Sequence, residues 1–282
     1  MIPGNIKGHV RSSGLSILPQ TQQYLDRMVV LPSVERIAAI NTLIGTLIDI
    51  GAYDKFDFLH IFAGHDIDSC LINVIQDDHH VNAVRAESGW AVNRGIFIDS
   101  ESTTGNILFS IDNWTPTDSW SGKKYQNGDR TIGVFAVHNN GGLSRQGSFL
   151  GHYSTGRTCL WGYQVTSPGS YRVGRCHVGI TQVGSSLRNV SNAPFLFTVS
   201  EFSDEGVPTN SAFLQGSEIN RDVRGSFYSG NEVSHAYFRG GGNKGWALGY
   251  DILGGFEGAS VSGLEGAIET AFITYRDTIL AL

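Results

Sequence analysis

Residues 24–73 read YLDRMVVLPSVERIAAINTLIGTLIDIGAYDKFDFLHIFAGHDIDSCLIN, and the fold class turns on this stretch. It divides into a short helix, a Pro stop, a longer amphipathic helix, a Gly stop and a strand. Pro32 and Ser33 mark the start of the long helix, with Ser33 placed to cap it. Ile37, Ile40, Ile44, Leu47 and Ile48 recur at helical spacing, whereas Arg36, Asn41, Thr42 and Asp49 fall elsewhere. Gly51 suits the left-handed residue that ends a helix. The run from Phe56 to Ala63 is apolar on both faces, as a strand covered on both sides requires. This stretch caps a core and then leads the chain into a sheet.

Outward from there the chain turns to short strands. Gly89–Ile98, Thr104–Ile111, Thr131–His138, Ser148–Tyr153, Cys159–Val165, Tyr171–Ile180, Pro194–Phe202 and Trp246–Leu253 read as strands, separated by Gly-containing turns such as Asn139–Gly142. Gly254-Gly255 follows the last of them. Ser262 and Glu265 have capping-box spacing, and Leu264, Ile268, Phe272, Tyr275 and Ile279 then form one apolar helical face. The 282 residues include 36 Gly and are only 16% charged, which suits strands joined by tight turns rather than a helical bundle. The predicted architecture is mainly β. An antiparallel sandwich spans 56–282 and is closed by a helix over 262–281. A helical lead-in covers 20–55, and an N-terminal arm covers 1–19, where Pro3, Gly4, Gly8, Gly14 and Pro19 leave little apolar periodicity.

A formal net charge of −6 speaks against nucleic-acid binding and against anionic membrane surfaces. No run of roughly 18 apolar residues is present, so no membrane insertion is expected, and MIPGNIKGHV lacks the pattern of a secretory signal. Cys70, Cys159 and Cys176 have no metal-like spacing. They read as reduced thiols, with a Cys159–Cys176 bridge as the alternative. His65, Asp66, Asp68, Asp77, Asp78, His79 and His80 are metal-ligating residue types without a diagnostic spacing, so they read as a polar loop, and no metal or cofactor is expected.

The lead-in stretch also carries a resemblance. Gly51, Tyr53, Lys55, Phe56, Asp57, Leu59, Ala63, Asp66, Leu71 and Asn73 follow a pattern that resembles a family of tailed-bacteriophage proteins. There the segment precedes a concanavalin A-like (LamG or jelly-roll-like) sandwich. Asn93-Arg94-Gly95-Ile96-Phe97 and Ser262-Gly263-Leu264-Glu265 match two later pieces of that pattern. The likeness covers about the first hundred and the last twenty residues, and it is poor from Thr104 to Gly245. It implies a virion protein of tail fibre, tail tip or head surface, assembled in the host cytoplasm. Such a protein holds other virion proteins through its arm, most commonly as a homo-oligomer such as a trimer. The resemblance assigns no chemistry.

The candidate ligand-binding residues are Trp114, Asp118, Trp120 and Tyr125, within Asn113–Asn127 (NWTPTDSWSGKKYQN). Aromatic faces stack on sugar C–H groups while carboxylates and amides bond hydroxyls, so the loop reads as a glycan contact. The same rings also serve a subunit interface, or simply cover the sandwich edge. An enzyme is not expected. The nearest acid pair, Glu201 and Glu205, lacks a third acid at Ser203, and nothing enforces the separation of about 5–5.5 Å that a retaining glycosidase needs. No nucleophile elbow surrounds Ser148 or Ser226. A polysaccharide depolymerase and a purely architectural decoration or fibre-attachment protein stand as alternatives.

Overall fold

In this computed structural model the described residues are 15–83, 88–98, 109–112, 121–126, 128–138, 147–151, 159–164, 171–176, 188–189, 193–223, 236–237 and 250–282. Among these residues the α-helices are α1 (Pro19–Arg27), α2 (Val34–Asp49), α3 (Ile67–Cys70) and α4 (Glu265–Leu280). The strands are β1 (Phe56–Ile61), β2 (Val81–Ala83), β3 (Ser88–Ala91), β4 (Gly95–Ile98), β5 (Phe109–Ile111), β6 (Arg130–His138), β7 (Gly147–Gly151) and β8 (Cys159–Gln164). They continue as β9 (Tyr171–Cys176), β10 (Arg188–Asn189), β11 (Phe195–Asp204), β12 (Val207–Leu214), β13 (Ser217–Val223), β14 (Ala236–Tyr237) and β15 (Tyr250–Gly258). One sheet runs β13-β12-β11-β6-β15-β4-β3, with β1 also on β15; the other runs β10-β9-β8-β7-β14-β5-β2. All pairings among the described residues are antiparallel, and the molecule is a β-sandwich of the jelly-roll class with helices on one outer face.

The layering follows from strand alternation, since successive side chains point to opposite faces. On β6, Ile132, Val134 and Ala136 enter the core between the sheets, while Phe135 and Val137 join a second core under the helices. β1 divides likewise, with Phe58 facing the first core and Leu59 and Ile61 the second. Both predicted faces of this strand are therefore covered. The second core takes Ile37, Ile40, Ile44 and Leu47 from α2 and Ile268, Phe272, Tyr275 and Ile279 from α4. Ser33 caps α2 by accepting the Arg36 amide at 3.3 Å, and Gly51 adopts φ +73° beyond its end.

Several expectations need correction. Residues 15–18 fall within the predicted arm, yet Leu15, Ile17 and Leu18 pack on the helical core, and Asn41 grips Leu18 N at 2.8 Å. Gly89–Ile98 is a hairpin, because Asn93 (φ +61°) and Gly95 (φ +87°) take left-handed conformations. The Ser262–Glu265 capping box does not form: α4 begins at Glu265 with Leu264 as its cap, and no side chain caps it. The last strand does not end at Leu253, since β15 runs on through Gly254-Gly255 to Gly258. A Cβ on Gly255 would lie 2.6 Å from the Tyr237 hydroxyl, and one on Gly254 3.1 Å from the Phe272 ring. Both cores press on this strand, and glycine makes the room.

Candidate functional site

The loop after β5 is held at both stems. At the near stem, Asp112 N donates to the His80 carbonyl at 2.8 Å, and the Asp112 carbonyl accepts from His79 Nδ1 at 3.1 Å. At the far stem the Asp57 carboxylate receives two backbone amides, Lys124 N at 2.8 Å and Tyr125 N at 2.6 Å. Lys124 Nζ closes the clamp on the Phe56 carbonyl at 2.7 Å. Burial pushes the Asp57 carboxyl above its ordinary range, while the two amides and the lysines at 123 and 124 pull it back. Both stems therefore rest on β1 or on the segment bonded to it. Trp114, Asp118 and Trp120 lie outside the described residues.

Behind the stems sits a buried polar node. His60 Nε2 meets the His79 carbonyl at 2.9 Å, so that nitrogen carries the proton; Nδ1 then accepts from the Tyr237 hydroxyl at 3.0 Å. One imidazole thus ties β1 of one sheet to β14 of the other and to the loop stem. Phe58 and Phe62 flank its ring at 4.9 and 5.6 Å. Burial drives the His60 pKa down to about 3, partly offset by the bond to His79. It drives Tyr237 well above its ordinary value.

Tyr125 does not fit the glycan reading. Its side chain is only 2% exposed and belongs to the core between the sheets, with the Arg130 guanidinium 5.4 Å from its ring centre. A ring buried there offers no face to a sugar, so of the three readings of this loop Tyr125 follows the edge-covering one. Glu201 and Glu205 do not form a pair either. Glu201 is buried against Arg130 at 2.5 Å, and Glu205 is exposed in the β11–β12 turn with φ +50°. Ring nitrogens of the His-rich segment are engaged in the fold: beyond His79 on Asp112, His80 Nδ1 accepts Asn73 N at 3.1 Å. Among the described residues no group of three or more His, Cys, Asp or Glu is placed to hold a metal.

The residues that carry the phage resemblance have structural duties. Asp57 clamps the loop stem, and Asp66 caps α3 through Ser69 N at 2.9 Å. Asn73 accepts Leu59 N at 3.1 Å and donates to the Asp78 carbonyl at 2.9 Å. Burial pushes the Cys70 thiol up to about 12, which keeps it protonated and unreactive. The β8–β9 register sets Cys159 opposite Cys176. His60 and Tyr237 were not singled out by sequence. The one available signal is that His60, like Asp57, is a polar residue within a largely apolar strand.

No family model matches the sequence, and no curated protein matches it. Solved structures do. A Trypanosoma rangeli sialidase mutant displaying trans-sialidase activity aligns with a TM-score of 0.51 and 9% identity, covering 87% of this chain and 40% of the sialidase. Domain 4 of AbnA, an extracellular arabinanase from Geobacillus stearothermophilus seen with arabinotriose, aligns at 0.45 and 11%, covering 76% of this chain and 98% of that domain. The CBM40 module of a Ruminococcus gnavus sialidase, bound to sialyllactose, aligns at 0.33 and 12% over 51% of this chain and 84% of the module. The chain thus spans two fifths of the sialidase's length. At such identities the likeness concerns the fold alone, an antiparallel β-sandwich.

Proposed function

We propose that the chain is a structural protein of a tailed-bacteriophage particle, placed at a tail fibre, tail tip or head surface, whose lectin-like sandwich contacts a host-surface glycan. The observation that carries the glycan part is the pair of clamped stems. Trp114, Asp118 and Trp120 fall between Asp112 and Lys124, both bonded to rigid elements of the sandwich. Recognition residues on loops held by a rigid scaffold lose less entropy on binding. The phage resemblance supports the particle context, and the homo-oligomer and the arm contacts to other virion proteins belong to the same proposal. A depolymerase gains no support from Glu201 and Glu205, which point to separate environments.

The test is a glycan array with the purified full chain, then titration of any hit against Trp114→Ala and Trp120→Ala. Saturable binding that falls about tenfold or more in either variant, without change in the unfolding midpoint, is the expected result. Unchanged binding in both variants removes the loop from the reading. Release of reducing ends from a bound polysaccharide makes the chain a depolymerase instead.

A further inference from the structure

Ten large hydrophobic side chains are exposed among the described residues, and all but Val207 and Val223 gather at one end of the helical layer. Val29 (80% exposed), Val30, Leu31 and Val34 come from the α1–α2 junction, Ile67 from the start of α3 and Val92 from the loop after β3. Leu280 and Leu282 add the end of α4. Hydrogen bonds join these segments into one surface. The Val30 carbonyl accepts from His65 Nε2 at 2.8 Å and from Ser69 Oγ at 3.2 Å. Asn93 accepts from Arg36 Nη2 at 2.7 Å and donates to the Ile279 carbonyl at 3.2 Å, and its amide reaches the Gly64 carbonyl at 3.0 Å. A contiguous aliphatic surface of this kind on a folded domain marks a place where another chain sits.

The patch opens into a groove of about 200 Å³ between α2 and α4, bounded by Glu35 and Thr278 at the patch end and Thr46 and Thr270 further along. The threonine hydroxyls bond carbonyls of their own helices, Thr46 to Thr42 at 2.9 Å and Thr270, Thr274 and Thr278 each to the residue four earlier at 2.7–2.8 Å. These walls ask for no polar partner. Of the charges near the rim, Arg94 is paired with Asp251 and Arg276 with Asp277. Arg27 and Arg36 keep their charge but are engaged by the Asn73 and Val74 carbonyls and by Asn93, whereas Glu35 and Asp68 are exposed carboxylates. Exposed carboxylates beside an aliphatic surface favour an aliphatic segment with basic flanks.

The chain itself contains one. Residues 1–14, MIPGNIKGHVRSSG, lie outside the described residues and carry Ile2, Ile6 and Val10 with Lys7 and Arg11 and no carboxylate side chain. Such apolar pattern as the segment has puts the aliphatics on even positions and Lys7, His9 and Arg11 on odd ones, the two faces of an extended chain. We propose that residues 1–14 of a neighbouring copy dock on this aliphatic end, with Ile2, Ile6 and Val10 on the patch and groove, and Lys7 and Arg11 toward Glu35 and Asp68. The inference deepens the assembly part of the proposed function and is independent of glycan binding.

The experiment uses sedimentation equilibrium of the full chain and of a variant lacking residues 1–14, with fluorescence anisotropy of a labelled peptide of residues 1–14. Expected are concentration-dependent association of the full chain, a monomeric truncated variant, and saturable peptide binding to that variant. Ile67→Asp with Val92→Asp, both at exposed positions, weakens peptide binding about tenfold or more. A full chain that stays monomeric while the peptide still binds the truncated variant means the segment covers its own patch, and overturns the neighbouring-copy assignment. Association that survives truncation, or peptide binding that ignores the patch substitutions, overturns the surface itself. An empty glycan array alongside normal association refutes the glycan reading alone.

Discussion

Acid acts on this fold through His60. The imidazole is fully buried, neutral, and bonded at both nitrogens, with its pKa driven down to about 3. In the unfolded chain the same group titrates near its ordinary value of 6.5. Below that value the unfolded state holds a proton that the folded state does not. Stability from this residue is therefore complete above about pH 6.5 and is lost as pH falls toward 3. At about 1.4 kcal/mol per pH unit, the loss is on the order of 2 kcal/mol by pH 5 and about 5 kcal/mol by pH 3. Asp57, Glu265 and Glu269 work in the opposite direction, since burial raises each of them and protonation then favours the folded state. The His60 contribution must therefore be isolated by difference. Urea unfolding of the wild type and of His60→Gln at half-unit steps from pH 7.5 to 4.5 does this, because glutamine retains one donor and one acceptor but no titration. Expected is a wild-type curve that falls relative to the variant by about 1 kcal/mol or more per unit below pH 6. Parallel curves for the two proteins refute the assignment of a neutral, buried His60.

Asp57→Ala leaves two amides of the loop stem without their acceptor, and a loss of about 2–5 kcal/mol is expected in urea unfolding, with faster proteolytic cleavage between 113 and 126. A loss under about 1 kcal/mol would show that the clamp does not hold the stem. Gly95→Ala meets two obstacles, a φ of +87° and the Ile252 carbonyl 2.1 Å from the new Cβ, so about 2–5 kcal/mol is expected in the same assay. Glu201→Leu strands the buried Arg130 charge and costs about 3–5 kcal/mol, and adding Arg130→Met to it recovers most of that loss in a double-mutant cycle. Additive effects would mean that the two charges do not interact.

The long helix was legible because Ile37, Ile40, Ile44 and Leu47 bury one stripe and Ser33 and Gly51 punctuate it. β6 was legible because its apolar residues feed two cores in alternation. Other parts obey rules that single residues do not announce. Gly254-Gly255 resembles a turn, but its function is to admit Tyr237 and Phe272 from opposite faces. β12 and β13 are hidden by polar composition, since Thr209, Asn210 and Ser211 are buried inside a strand. In the candidate loop, aromatic composition alone did not separate a core ring from a surface ring. Tyr125 turns inward because Asp57, distant in sequence, holds its amide while Arg130 lies near its ring.

The position of β15 also sets the order in which the molecule can be made. Phe56 lies opposite Gly258, and Thr131 lies opposite the same glycine on the other flank. A ribosome adding about 5–20 residues per second needs on the order of ten seconds or more to travel from the first of these strands to the last. Throughout that interval β1 has its apolar faces made and its main partner unmade. The central pairing can close only after the C-terminal strand emerges, so folding is late and long-range, the regime in which rates are slow and nascent chains depend on being kept apart. Nonsense mutations anywhere before residue 250 remove the strand on which β1, β4 and β6 converge, and yield open sheet edges rather than a shorter folded protein.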